Sequence, residues 1–342
     1  MGSEMCIRDS LRREDLPHYS CRFTACLLIL LLFCSSCGEQ DNIKKMKMSH
    51  GLATNHPVHK AMIFMAEEAL KHSDSTLVIE VYPSEQLGNE KESIEKLQFG
   101  AIAMTKVSSS MLESFSESYK VYALPYLFRD YEHRWKVLNG EIGRRILASG
   151  EKLMLKGLAY YDAGSRSFYT AAAPILSPKD LTGLKIRTQQ SPMAIKMIDA
   201  LGGSATPISW GELYTSLQQG VVDGAENNPP SLYTSNHYEV CKYYSLDEHT
   251  SVPDVILINS DVWNGLSEYH QQVLAAAADT SVVYQRKLWR EFEEESMVNM
   301  TANGLKVFQP DKAPFQKRAQ ILWQEFEGTV IGELAAEIQT VE

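Results

Sequence analysis

The sequence predicts an α/β protein, and three observations carry that class. Strand and helix patterns alternate from residue 46 to 82, giving a strand, helix, strand unit. Residues 183–230 pack strand, helix, helix and strand signals around several polar side chains. Residues 267–303 run without glycine or proline, a helical pattern that at about 1.5 Å per residue exceeds roughly 50 Å and outruns one domain.

Composition sets the frame. The chain has 342 residues, 44% hydrophobic and 22% charged, values of a soluble globular protein with material for a sizeable core. Its formal charge is −10, which disfavours a nucleic-acid role, because phosphate binding needs a basic surface. An anionic ligand is not excluded, since one buried arginine outweighs a distant acidic surface.

The first element is a leader. Arg12, Arg13 and Arg22 precede an apolar core at 23–33, too short to span a bilayer and suited to a secretory signal, so export is expected. The acidic lead-in at 1–10 fits no signal peptide well and reads as a misassigned start codon or a sequencing artefact. The core runs into CSSCGEQ, which looks like a lipobox with Cys37 as the acylated residue; Cys34 stands where leucine is usual, and ordinary signal-peptidase cleavage is the alternative. Five of the 6 cysteines lie in or at the end of this leader. Cys241 alone remains in the body, which excludes an intrachain disulfide or a thiol zinc cluster there and leaves Cys241 as a small packed side chain.

The body begins with a strand near 46–51. A loop containing His56 and His59 leads to a helix with Met62, Met65, Ala66 and Ala69 on its apolar side, then to a strand at 77–82. The turn PSEQLG returns the chain into a helix at 91–99. A single helix is expected over 131–148, a strand at 156–161 and a first crossing between domains near 162–164. A loop at 174–180 precedes a strand in which Leu184 and Ile186 alternate with Lys185 and Arg187. Ser191 supplies an N-cap and Pro192 the first helical position; Ala194, Met197, Ile198 and Leu201 recur at helical spacing, and Gly202-Gly203 stop the run. Ser209 to Glu212 has capping-box spacing, opening a helix that ends at Gly220. A strand is expected at 221–225, with its exit, Glu226-Asn227-Asn228, halted by Pro229-Pro230. Strands follow at 243–246 and 255–258, with Glu248-His249 and Pro253-Asp254 between them as the return crossing. After the long helix come a strand at 305–308 and a terminal helix at 315–328. In open α/β sheets ligands bind beyond the carboxyl ends of strands, and both strands of 183–230 end in hydrogen-bonding groups.

The runs LTGLKIRTQQSP and ALGGSATPISWGELYTSLQQGVVDGAENNPP resemble the extracytoplasmic solute-binding proteins of TRAP (tripartite ATP-independent periplasmic) transporters. The likeness extends through HGL at 50–52, YPSEQLG at 82–88, LPYLFR at 124–129 and DAGSRSFY at 162–169, in family order over the mature chain. The resemblance implies a two-lobed periplasmic-binding-protein fold (type II-like) braced by the long helix. One lobe is then 38–163 plus 253–292, the other 164–252 plus 293–342. It also implies a periplasmic protein that hands an organic acid to small and large membrane subunits, with no cofactor and no nucleic acid involved and contact with the membrane only through a lipid anchor. SWGELY, AENNPPS and HYEVCKYYSLDEH are similar to the branch that binds hexuronates such as glucuronate and galacturonate. Other sugar acids, diketogulonate among them, and C4-dicarboxylates are the alternatives, as is a ligand-sensing subunit of a membrane kinase or, outside transport, a sugar-acid enzyme.

The resemblance sets Arg187 at the family's carboxylate-binding arginine and Arg166 at a second one. A planar guanidinium fork matches a carboxylate through two charge-assisted bonds; a strand-end arginine reaching solvent is the plain alternative. Asn227 both donates and accepts, as polyol recognition requires; Asn228, before proline, reads as a turn former, and Glu226 as a partner for either arginine. From the other lobe, Glu85 either accepts from sugar hydroxyls or caps the following helix. His56 sits in a loop after a strand; with His59 it lacks a third metal ligand. Trp210 either stacks on a pyranose face or packs. His249 and Asp254 fall at the hinge return. The chain contains no GxSxG, GxxxxGK[ST] or HExxH motif.

Overall fold

Strand β1 (Lys44–Ser49) turns Met46 and Met48 inward and its lysines outward. It pairs in parallel with β2 (Leu77–Tyr82) through α1 (Pro57–His72), which buries Val58, Ala61, Met62, Met65 and Ala69 along one stripe. A second crossover, α2 (Glu90–Gln98), is started by Asn89 and Glu92 in a reciprocal capping box and leads to β3 (Met104–Ser108), also parallel to β1. Strand β10 (Asp254–Asn259) runs antiparallel between β3 and β4 (Leu155–Tyr161), completing a five-stranded sheet of order β2-β1-β3-β10-β4. This is a computed structural model, and it describes residues 43–342. The predicted leader, Cys34 and Cys37 included, lies outside the described residues.

The chain leaves the first sheet after Tyr161 and enters a second with β5 (Arg166–Thr170). That sheet continues with β6 (Lys185–Thr188), β7 (Ser204–Pro207), β8 (Gly224–Asn227), β9 (Tyr243–Thr250) and β11 (Lys306–Phe308), in the order β11-β9-β5-β8-β6-β7. Ser191 caps α5 (Pro192–Leu201) by accepting from Ala194 N at 3.0 Å, and Gly202 closes it in the left-handed conformation at φ 105°. The 35-residue α10 (Glu268–Ala302), capped by Ser267, packs along α1, against β4 of the first sheet and along α7 (Pro229–Thr234), and its Met300 joins the cluster that holds Tyr244 of the second sheet. Gln285 on this helix clamps the passage between the sheets, accepting from Asp162 N at 2.8 Å and donating to Asp162 O at 2.9 Å. One core cluster around Met48, Met62, Ile256 and Trp289 lies under the first sheet. A second, around Tyr169, Leu213 and Tyr244, lies on the second, and a third, from Val107 through Tyr160 to Ile186 and Phe315, joins them. Among the described residues no helix is long and apolar enough to cross a membrane.

Several expectations are corrected. The helix over 131–148 is two helices, α3 (Tyr131–Asn139) and α4 (Glu141–Ala148), broken at Gly140, whose extended backbone ends one and starts the other. The strand expected at 221–225 begins at Gly224: Val221 N is still tied back to Ser216 O at the end of the preceding helix, and Asp223 bonds Lys185 through its carboxylate and its backbone. Pro229-Pro230 do end the strand, yet they also open α7, where their fixed φ suits the first turn; Asn228 caps it by accepting from Ser231 N at 2.8 Å. Glu248 and His249 belong to β9, which leaves 251–253 to make the return. Ser209 precedes α6 (Trp210–Gln218) without capping it, since its hydroxyl donates to the Glu212 side chain. The short edge strand β7 and the last helix, α12 (Val330–Gln339), were not anticipated; α11 (Ala313–Glu325) is therefore not terminal. The remaining short helices are α8 (His237–Val240) and α9 (Ser260–Asn264).

Candidate functional site

Strands β6 and β8 run parallel, in register Arg187↔Ala225, and point their carboxyl ends at a cleft of about 740 Å³, measured out to its open mouth. Both sheets contribute to its lining. From the second come Arg166, Arg187, Gln189, Trp210 and Asn227; from the first, or the loops leaving it, come His56, Glu85, Glu90, Lys106 and Asp254, while Trp289 of α10 closes the floor.

Arg187 is 3% exposed and has no carboxylate within ion-pair distance among the described residues. Its Nε donates to Ile208 O at 2.8 Å, its guanidinium lies 5.7 Å from the centre of the Trp210 ring, and Nη1 is buried without a partner. Burial lowers its pKa, the expected direction for a cation short of water and of counter-charge. An unsatisfied buried guanidinium nitrogen costs free energy until an acceptor arrives.

Arg166 is committed instead. Its Nε and Nη2 grip the Glu226 carboxylate side by side, Nη2 also donates to Glu226 O at 2.9 Å, and Nη1 donates to Asn227 Oδ1 at 2.9 Å. This pairing follows from strand register: β5 lies antiparallel to β8 with Phe168 opposite Glu226. Glu226 and His249 consequently sit behind the cleft wall and do not line it. Burial alone would raise the Glu226 pKa, but Arg166 and His249 carry it down to about 2. Burial alone would lower that of His249, yet Asp247, 2.8 Å from Nδ1, and Glu226, 3.5 Å from Nε2, lift it to about 9. Asn227 has its oxygen occupied by Arg166 and by Asn228 N, while its Nδ2 has no partner among the described residues.

Glu85 holds a left-handed backbone (φ 58°) in the turn after β2. It does not cap α2, a role Asn89 fills; its Oε2 reaches across to the start of α6, where a Cβ on Gly211 would run into it, and Oε1 is buried without a partner. Burial, reinforced by Glu90, raises its pKa. His56 caps α1 through Nδ1, accepting from Val58 N at 3.2 Å, and its Nε2 lies 3.4 Å from Ser231 Oγ on the opposite side. Burial lowers its pKa well below the usual histidine value, so the ring is neutral. His59 turns to His50, 2.9 Å away. Trp210 contacts both Arg187 and the His237 ring, so it lines the cleft and packs at once.

The sequence reading missed Glu90, Lys106 and Trp289. Glu90 is the first residue of α2, one position before the expected helix start; Lys106 lies in a five-residue strand buried throughout, and a lysine in such a run is the one signal available. Trp289 is buried in the long helix like any core aromatic, its Nε1 unpartnered.

Residues 48–329 match the family model DctP, bacterial extracellular solute-binding protein family 7. The chain belongs to this family. A TRAP periplasmic solute-binding protein from a Bradyrhizobium species, solved with galacturonate, is 40% identical with a TM-score of 0.83, the match covering 86% of this chain and 99% of that one. Another from Anaerococcus prevotii, with bound glucuronate, is 37% identical with a TM-score of 0.85 over 87% and 98%. The C4-dicarboxylate-binding periplasmic protein DctP of Rhodobacter capsulatus is 33% identical over 294 residues, 86% of this chain and 87% of the relative. The two sheets and the long helix are those of TRAP solute-binding proteins, and the chain is a transporter's binding protein, not an enzyme.

Proposed function

We propose that this TRAP solute-binding protein captures a hexuronate, glucuronate or galacturonate, in the cleft between its sheets. The observation that carries the reading is Arg187: a buried guanidinium at the carboxyl end of a strand, with no carboxylate within ion-pair distance among the described residues and an unpartnered Nη1. A ligand carboxylate supplies what it lacks, and two charge-assisted bonds fix its orientation. Asn227 Nδ2 and Glu85 Oε1 provide a donor and an acceptor for hydroxyls, and the Trp210 face covers ring C–H groups. Arg166 contributes at most its remaining Nη1 hydrogen, while Glu226 and His249 hold it in place. The uronates bound by similar solved proteins support the class of ligand.

The lobes, taken as 38–163 with 253–292 and 164–252 with 293–342, close by population shift: ligand contacts from both sides favour a shut form that small and large TRAP membrane subunits recognise. Export by the leader and acylation at Cys37 complete the reading, placing the protein in the periplasm at the membrane surface. The C4-dicarboxylate relative gives the second reading, a dicarboxylate in the same cleft.

Calorimetric titration with glucuronate, galacturonate and succinate decides between them. Uronates should bind the protein and raise its unfolding temperature, since stabilisation follows ligand concentration over Kd. Strong binding of succinate with none of either uronate would overturn the choice.

A further inference from the structure

Lys106, in the middle of β3, is 3% exposed. Its Nζ lies 3.4 Å from Glu90 Oε1 and 3.2 Å from Asp254 Oδ1. Ser108 N donates to the same Glu90 oxygen at 3.0 Å. All three side chains line the cleft, and all come from the first sheet or from α2, whereas Arg187 stands on the second sheet. Glu90 and Arg187 line the same cavity.

A buried ammonium needs one carboxylate to balance it; here there are two. The group therefore carries one net negative charge, and its carboxylates offer more acceptor positions than Lys106 and Ser108 N can fill. Asp254 registers the shortage. Burial raises its pKa, and although Lys106 pulls it down, Glu90 adds to the rise and the carboxyl stands at about 6. Lys106 keeps its charge, because the two carboxylates outweigh its burial. Such a patch welcomes neutral donors and repels a further anion.

We infer that Glu90, Lys106 and Asp254 form the specificity element of the cleft, accepting hydrogen bonds from ligand hydroxyls and turning away a second carboxylate, so that polyhydroxy monoacids are taken and C4-dicarboxylates refused. This rests on the reading of Arg187 as the carboxylate-binding group. A hexuronate anchored there presents hydroxyls to the opposite wall. A C4-dicarboxylate anchored the same way presents a charge to a net-negative, poorly solvated patch, an arrangement that works by repulsion as well as attraction.

The test is calorimetric titration of the purified protein and of Glu90→Gln, Asp254→Asn and Arg187→Ala with glucuronate, succinate and cyclohexanecarboxylate, the last being a ring acid without hydroxyls. Wild-type protein should bind cyclohexanecarboxylate at least about tenfold more weakly than glucuronate, because acceptors left unmet in a closed site are costly. Each amide variant should lose roughly tenfold for glucuronate and narrow the gap to succinate. Glucuronate affinity within twofold of wild type in both variants, with succinate still refused, overturns the inference while leaving the carboxylate reading intact. Should circular dichroism show the variants unfolded, the wild-type contrast decides alone, and equal affinity for the two ring acids sinks the proposal. Undiminished glucuronate binding by Arg187→Ala, or no acid bound by wild type, removes the underlying reading and this inference with it.

Discussion

At the scale of single residues, two buried arginines of the same sheet differ only in company. Arg166 meets Glu226 as an ion pair and is neutral as a unit; Arg187 meets a carbonyl and an aromatic ring and keeps its charge uncompensated. Removing one partner of a buried pair leaves the other stranded, which typically costs about 3–5 kcal/mol. Arg166→Ala is therefore expected to lower stability by that order, visible in chemical denaturation. Arg187→Ala removes a charge that has no partner before ligand binds. It should leave the free protein at least as stable while weakening acid binding by about 100-fold or more, two charge-assisted hydrogen bonds being lost. Denaturation and titration on the two variants separate these roles, and a free Arg187→Ala protein that unfolds as readily as Arg166→Ala would show that Arg187 is structural.

At the scale of elements, helix starts carry contacts between segments distant in sequence. Ser191 caps α5 and also donates to Glu113 Oε2 at 2.8 Å, from a segment that follows β3 in the first sheet. Ser191→Ala loses the cap, typically about 1 kcal/mol, and leaves a buried carboxyl short of a donor, so a total loss of roughly 1–3 kcal/mol is expected in urea unfolding. At the start of α6, Gly211 leaves room for the Glu85 carboxylate. Gly211→Ala pushes that flexible side chain aside without touching packed backbone. The expected outcome is an unchanged unfolding temperature together with weaker glucuronate binding by titration; unchanged affinity would mean that Glu85 takes no part in closure.

Some of these devices were legible in the residues and some were not. Ser191, Pro192 and Gly202 announced α5 because caps act within one turn. The same rule misled at Ser209, whose hydroxyl found the Glu212 side chain in place of the backbone. Residues 131–148 read as one helix because Gly140 is tolerated in a helical pattern; its extended backbone conformation in the fold makes it a break.

Over the whole molecule, buried titrating groups tie stability to pH. Burial lifts the Glu113 carboxyl, 3% exposed, from 4.5 to about 8, although Ser191 and Met193 N oppose it. The folded state then holds a proton that the unfolded state has released, so stability falls as pH rises through that window. His249, raised to about 9, contributes stability that is complete below 6.5 and lost as pH climbs through 9. Both act in the same direction above 6.5; the histidines that burial keeps neutral in the fold oppose them only until the unfolded state has lost its own histidine protons, about one pH unit above 6.5. The unfolding temperature is expected to drop between pH 6.5 and 9, and Glu113→Gln should flatten the part below about 8. A temperature that holds or rises over this range would contradict the assignment.

Local pattern by itself determined most of the strand and helix succession, the 35-residue brace and the caps of α5, because periodicity, glycine stops and side-chain caps are interactions between near neighbours in sequence, whereas the two arginines became candidates through the family resemblance of their segments. Tertiary structure decided which arginine stays free, since Glu226 reaches Arg166 across 60 residues only through the register of β5 on β8. It also gathered Glu90, Lys106 and Asp254 onto one wall and withdrew His249 behind another. These are pairings between distant segments, set by sheet order and burial, and no spacing along the chain encodes them.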